Sequence, residues 1–151
     1  MKIFYLTSRY PFPPIGGDKV RAYHFLRYLS SLGHEVHLFS LIDQPVKPTS
    51  IIKNEKIYFL SKRKSYLNCL RGLLSSTPLQ VWYYQSREFL HVINKALAEN
   101  NYDLIFCHLL RTAEYVKDVK HIPKIIDLTD AISLNYSRVV ENLWKEVSFK
   151  K

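Results

Sequence analysis

Within the first 42 residues two apolar runs, Ile3 to Leu6 and Val36 to Ile42, enclose a proline- and glycine-rich loop and a stretch of helical spacing. The first run is continuous, as in a strand buried on both faces. From Val20 onward, apolar residues recur at Tyr23, Leu26 and Leu29 on one helical face, and Gly33 is a helix stop. Strand, loop, helix, tight turn and strand make one βαβ unit, which needs parallel strands. The alternation continues. A proline-containing loop spans 43–55, a short strand covers Ile57 to Leu60, and a helix covers Tyr66 to Leu74. Pro78 breaks the chain, and "LQVWYYQS" receives no assignment. Helical spacing returns from Arg87 to Glu99, then a strand from Leu104 to Cys107, a short helix from Thr112 to Val116, and a strand from Lys124 to Leu128. A last helix is expected from Ser133 to about Val147. The fold class is therefore α/β: a Rossmann-like parallel sheet with helices on both faces, in one domain over 1–151.

Composition narrows the function classes. At 47% hydrophobic and 23% charged, the 151 residues read as a globular domain. No apolar run approaches the roughly 18 residues of a membrane span. The start lacks the apolar core and cleavage site of a secretory signal, so it reads as the first strand of a cytoplasmic domain. Cys69 and Cys107 lie far apart and form neither a CxxC pair nor a disulfide framework. The net charge of +9 suits phosphates, nucleic acid or an anionic membrane and distinguishes none of them. The densest basic group is Lys53, Lys56, Lys62, Arg63, Lys64 and Arg71. Trp82, Tyr83 and Tyr84 show no RNA-recognition pattern, so no nucleic-acid partner is expected.

In a parallel α/β sheet, ligands bind beyond the carboxyl ends of the strands. The loop "RYPFPPIGGDKVR" lies there. Gly16 and Gly17 let the backbone turn sharply and let a ligand approach without meeting a Cβ. The following helix start adds free N–H groups and partial positive charge, which suits phosphate. Asp18 is the N-cap candidate. The loop is neither GxGxxG nor a Walker A sequence, and a plain connection without ligand stays open. His108, after "DLIFC", should stand at the sheet rim, where it donates to a sugar hydroxyl, exchanges a proton, or serves structure alone. Asp127 lies inside an apolar run and requires a buried partner. Asp130 is a helix-cap candidate. The six histidines show no metal-ligand spacing, and no GxSxG elbow is present. The segment from Lys62 to Tyr84 mixes cations, leucines and aromatics. It either lies on an anionic membrane or packs on the sheet with its cations in water.

Four stretches carry a family resemblance: "MKIFYLTSRYPFPPIGGDKVRAYHFLRYLSSLGHEVHLFSL", "GLLSSTPLQVWYYQS", "YDLIFCHLLRTAEYV" and "KIIDLTDAISLNYSR". Together they resemble the N-terminal domain of family 4 GT-B glycosyltransferases, most of all the exopolysaccharide (PEP-CTERM-type) sugar transferases. The resemblance implies half of a GT-B fold, in which this domain binds a glycan or lipid-linked acceptor and a second domain binds the nucleotide-sugar. It implies that the Gly16 and Gly17 amides face the donor diphosphate and that His108 contacts the transferred sugar as a catalytic residue. Asp130 matches an aspartate after the fifth strand. No metal or other cofactor is implied. The chain ends at Lys151 without a donor-binding domain, so the expectation is a fragment that is inactive alone, cytoplasmic and peripheral on the membrane's inner face. The alternative is a non-catalytic basic module that binds a membrane or a partner.

Overall fold

A computed structural model of the chain describes residues 1–48, 51–128 and 137–140. Five strands form one parallel sheet: β1 (Lys2–Thr7), β2 (Glu35–Ile42), β3 (Asn54–Phe59), β4 (Leu104–His108) and β5 (Lys124–Asp127). Their order is β3-β2-β1-β4-β5, with every neighbouring pair parallel. The chain is thus an α/β protein of Rossmann-like architecture, with β1 at the centre. Among the described residues, no helix is long and apolar enough to cross a membrane.

The central strands are apolar on both sides because both faces are covered. On one face Phe4, Leu6, Phe39, Leu41, Ile105 and Cys107 pack with Phe89 and Ile93 of α4 (Arg87–Glu99). On the other, Ile3, Tyr5, Val36, Leu38 and Phe106 pack with Leu26 of α1 (Gly17–Ser31). Alternate residues of each strand serve opposite faces, which is the period of a pleated strand. Phe4 stacks on Phe39 and Tyr5 on Phe106, so aromatic pairs pack both faces of the central strands.

The remaining helices differ from the sequence expectation in instructive ways. α2 (Lys62–Gly72) begins four residues earlier than apolar spacing implies, because Ser61 caps it by accepting from the Lys64 amide at 3.4 Å. The unassigned aromatic segment contains a short helix, α3 (Leu79–Tyr83), entered from Pro78. β3 starts at Asn54 inside the expected loop. An edge strand tolerates polar residues such as Asn54, Glu55 and Lys56, so its first half is invisible to a search for apolar runs. After β4 come α5 (Leu110–Ala113) and a 3-10 turn (Glu114–Val116). Of the helix expected from Ser133 to Val147, only 137–140 are described, and they are helical.

Candidate functional site

The loop between β1 and α1 sets the site. The Phe12–Pro13 peptide bond is cis, and Ile15 N–H donates to the Pro13 carbonyl at 2.8 Å. Gly16 then takes φ +97°, a left-handed value that a side chain would strain. Its carbonyl accepts from Val20 N–H at 2.9 Å and so opens α1. A Cβ placed on Gly17 would meet nothing within 4 Å. The helix cap is therefore Gly16, with no side-chain cap bond. This corrects the assignment of Asp18.

Asp18 has a different task. It stands in the first turn, where a carboxylate complements the helix dipole. Its Oδ2 is 3.4 Å from Arg9 Nη1 and 3.9 Å from Arg111 Nη2. Arg9 Nε donates to the Tyr84 hydroxyl at 3.0 Å, and the Arg111 guanidinium lies 4.4 Å over the Tyr84 ring. Two arginines thus gather at the glycine turn, neutralised only in part by one aspartate. Sequence reading missed both, since their partners lie far away along the chain.

His108 ends β4 beside this turn, but not at an open rim. It is 2% exposed. Its Nδ1 is 3.1 Å from Asp127 Oδ2, and its Nε2 is 3.0 Å from the Asp18 carbonyl. The expected exposure is corrected: the start of α1 covers the ring. Burial pushes the His108 pKa below the usual histidine value, against the upward pull of Asp127. A neutral ring carries one N–H, and the charged carboxylate is the stronger acceptor. Both ring nitrogens face oxygen acceptors, so the neutral ring donates its one N–H to either the Asp127 carboxylate or the Asp18 carbonyl, and to both only when protonated.

Asp127 has two partners, the buried His108 ring and the exposed Arg21. Arg21 Nε and Nη2 donate to its two oxygens at 2.7 and 2.8 Å, a bidentate pair between α1 and β5. That pair holds the Asp127 carboxyl below the ordinary value. Gly16, Gly17 and His108 are thus brought together. Asp130 lies outside the described residues.

A cleft of about 300 Å³ opens beside the turn, lined by Ser8, Arg9, Tyr10, Lys19, Asp43 and Tyr84 among others. Ser8 is 3% exposed, and its hydroxyl has no partner among the described residues. Cations, a carboxylate, an aromatic ring and an unpartnered hydroxyl suit a polar, partly anionic ligand. Among the described residues, no group of three or more His, Cys, Asp or Glu is placed to hold a metal ion.

No protein-family model matches the chain, and no curated protein matches it. A solved structure described as a predicted subunit of tRNA methyltransferase from Methanocaldococcus jannaschii DSM is similar at a TM-score of 0.39 and 11% identity, over 90% of this chain and 73% of that one.

Proposed function

We propose that the chain is the acceptor-side half of a retaining glycosyltransferase, which moves a sugar from a nucleotide-sugar donor to a polysaccharide or glycolipid acceptor at the inner face of a membrane. One observation carries the reading: the Gly16–Gly17 turn opens a 15-residue helix at the carboxyl edge of the sheet, next to a cleft lined by both charged and apolar residues. The first amides of a helix have no acceptor inside it, and the dipole favours an anion there. Retaining transfer is mainly a matter of holding donor and acceptor together and stabilising the departing diphosphate.

In this reading Gly16 and Gly17 offer amides to that diphosphate, with Arg9 and Arg111 adding positive charge. His108 meets the transferred sugar when a sugar hydroxyl replaces the Asp18 carbonyl at Nε2, while Asp127 keeps the ring oriented through Nδ1. The cleft holds the acceptor, and a second, donor-binding domain completes the enzyme. No metal is required, because amides and arginines supply the positive field.

Pyrophosphate, the group common to nucleoside-diphosphate sugars, tests this in nitrogen–proton correlation spectra. The Gly16 and Gly17 amide resonances should move saturably. If the only resonances that move belong to lysines and arginines elsewhere, the reading fails. A second reading, a non-catalytic basic module, draws on the leucines that α2 leaves in solvent and predicts no response at the glycine turn.

A further inference from the structure

α2 is amphipathic the wrong way round for a helix on a core. Its buried residues are Ser65, Asn68 and Gly72. Asn68 Nδ2 donates to the Gln85 carbonyl at 2.7 Å. A Cβ on Gly72 would lie 2.5 Å from the Trp82 ring, so the helix is held tightly against α3 by that small, polar side. Its apolar residues face solvent instead. Leu67 is 56% exposed, Leu70 63%, Leu73 63% and Leu74 100%. A spacing of three places Leu67 and Leu70 on one side of α2, and Leu73 and Leu74 continue the exposed leucines into the turn that follows. A helix whose apolar stripe points away from its own core has a partner to meet.

The charges name the partner. Lys62 and Lys64 are tied to Asp43 and Glu88 at 3.6 and 2.6 Å. Arg63, Arg71 and Arg87 are exposed and form no ion pair with any described residue. Arg63 and Arg71 flank the leucine stripe on α2. Arg71 and Arg87 border a groove that also holds Trp82, whose buried indole N–H has no acceptor among the described residues. Leucines between unpaired arginines, with an indole donor at the margin, match a surface of hydrocarbon capped by phosphate. An apolar protein partner would leave the arginines unanswered, and a nucleic acid would leave the leucines in water.

We propose that the α2 face, with Arg87 beside it, docks the chain on an anionic lipid bilayer. The leucines enter the acyl boundary and the arginines meet headgroup phosphates. The inference deepens the membrane part of the transferase reading, and vesicle binding and the pyrophosphate response at the glycine turn can each fail without the other.

Sedimentation with phosphatidylcholine vesicles, with and without phosphatidylglycerol, tests it on the whole chain. Phosphatidylglycerol should raise the apparent affinity by about 10-fold or more, and added salt should reverse the gain. The double substitution Leu70→Glu and Leu74→Glu should lower binding about 10-fold while the melting curve stays, since both side chains are already in water. Arg63→Glu with Arg71→Glu should remove the dependence on phosphatidylglycerol. Equal sedimentation with both vesicle types, or none with either, overturns the proposal. So does unchanged binding by the leucine variant. A dimer that the leucine substitutions dissociate, without vesicle binding, would assign the face to a second copy and overturn it too.

Discussion

The His108 ring nitrogen Nε2 lies 3.0 Å from the main-chain oxygen of Asp18, ninety residues away in sequence. This contact, with Nδ1 on Asp127, ties the first turn of α1 to the ends of β4 and β5. His108→Ala removes the ring that bridges two part-buried oxygens and opens a void. It should lower unfolding free energy by about 2 kcal/mol. Chemical denaturation measures this, and wild-type stability in the variant would show that the bridge holds nothing.

Acid should weaken the fold through groups of one sign, among them Asp127, Glu88, Glu35 and His108. Arg21 lowers the Asp127 carboxyl pKa, and Lys64 brings the Glu88 carboxyl from 4.5 to about 2. A depressed carboxyl stabilises the fold above its unfolded value, and that contribution is lost as pH falls through the folded one. His108 is depressed by burial, so below its ordinary 6.5 the unfolded chain takes up the proton first, and stability again falls as pH falls. Melting temperature should therefore decline in steps from about pH 6.5 downward and again below 4.5. His108→Asn should remove the upper step alone. A melting temperature flat between pH 7 and 5 would contradict this ordering.

The two thiols should separate cleanly. Cys107 is fully buried, and burial pushes its pKa up to about 12. Cys69 is half-buried on α2. Because the thiolate is the reacting form, a disulfide reagent at neutral pH should modify Cys69 in the native chain and Cys107 only after unfolding. Rapid modification of both would place Cys107 outside the core.

Gly72 of α2 packs directly against the Trp82 ring of α3. Gly72→Ala forces a methyl to within 2.5 Å of the Trp82 ring. The variant should lose about 1–3 kcal/mol by overpacking and shift the tryptophan emission. Retention of both stability and emission would mean that α2 and α3 do not share this contact.

The elements that sequence reading places well are those whose local signals agree. α4 matches its expected bounds because Ser86 caps it and its apolar face, Phe89 and Ile93, turns to the core. Strands β1 and β4 were visible because burial on both faces makes them uniformly apolar. α2 was misplaced for the opposite reason: Ser65, Asn68 and Gly72 face inward, so apolar spacing follows the solvent side. Within the site, the glycine turn was legible because only glycine takes φ +97° freely. The Arg21–Asp127 pair spans 106 positions, and Arg9, Arg111 and Tyr84 meet only in the folded chain. No local pattern encodes such meetings. The burial of His108 was hidden for the same reason, since its lid is the start of α1.

Gly17→Ala separates an anion site at the turn from the fold that carries it. Its Cβ falls in open space, so the fold should be unaffected. An anion seated on the glycine amides would meet that methyl. Titration with pyrophosphate should show saturable shifts at Gly16 and Gly17 in the wild type. In Gly17→Ala the affinity should be about 10-fold weaker, at unchanged melting temperature. Equal affinity in the two proteins, or no response at the turn in the wild type, would contradict the assignment of this loop to a donor diphosphate.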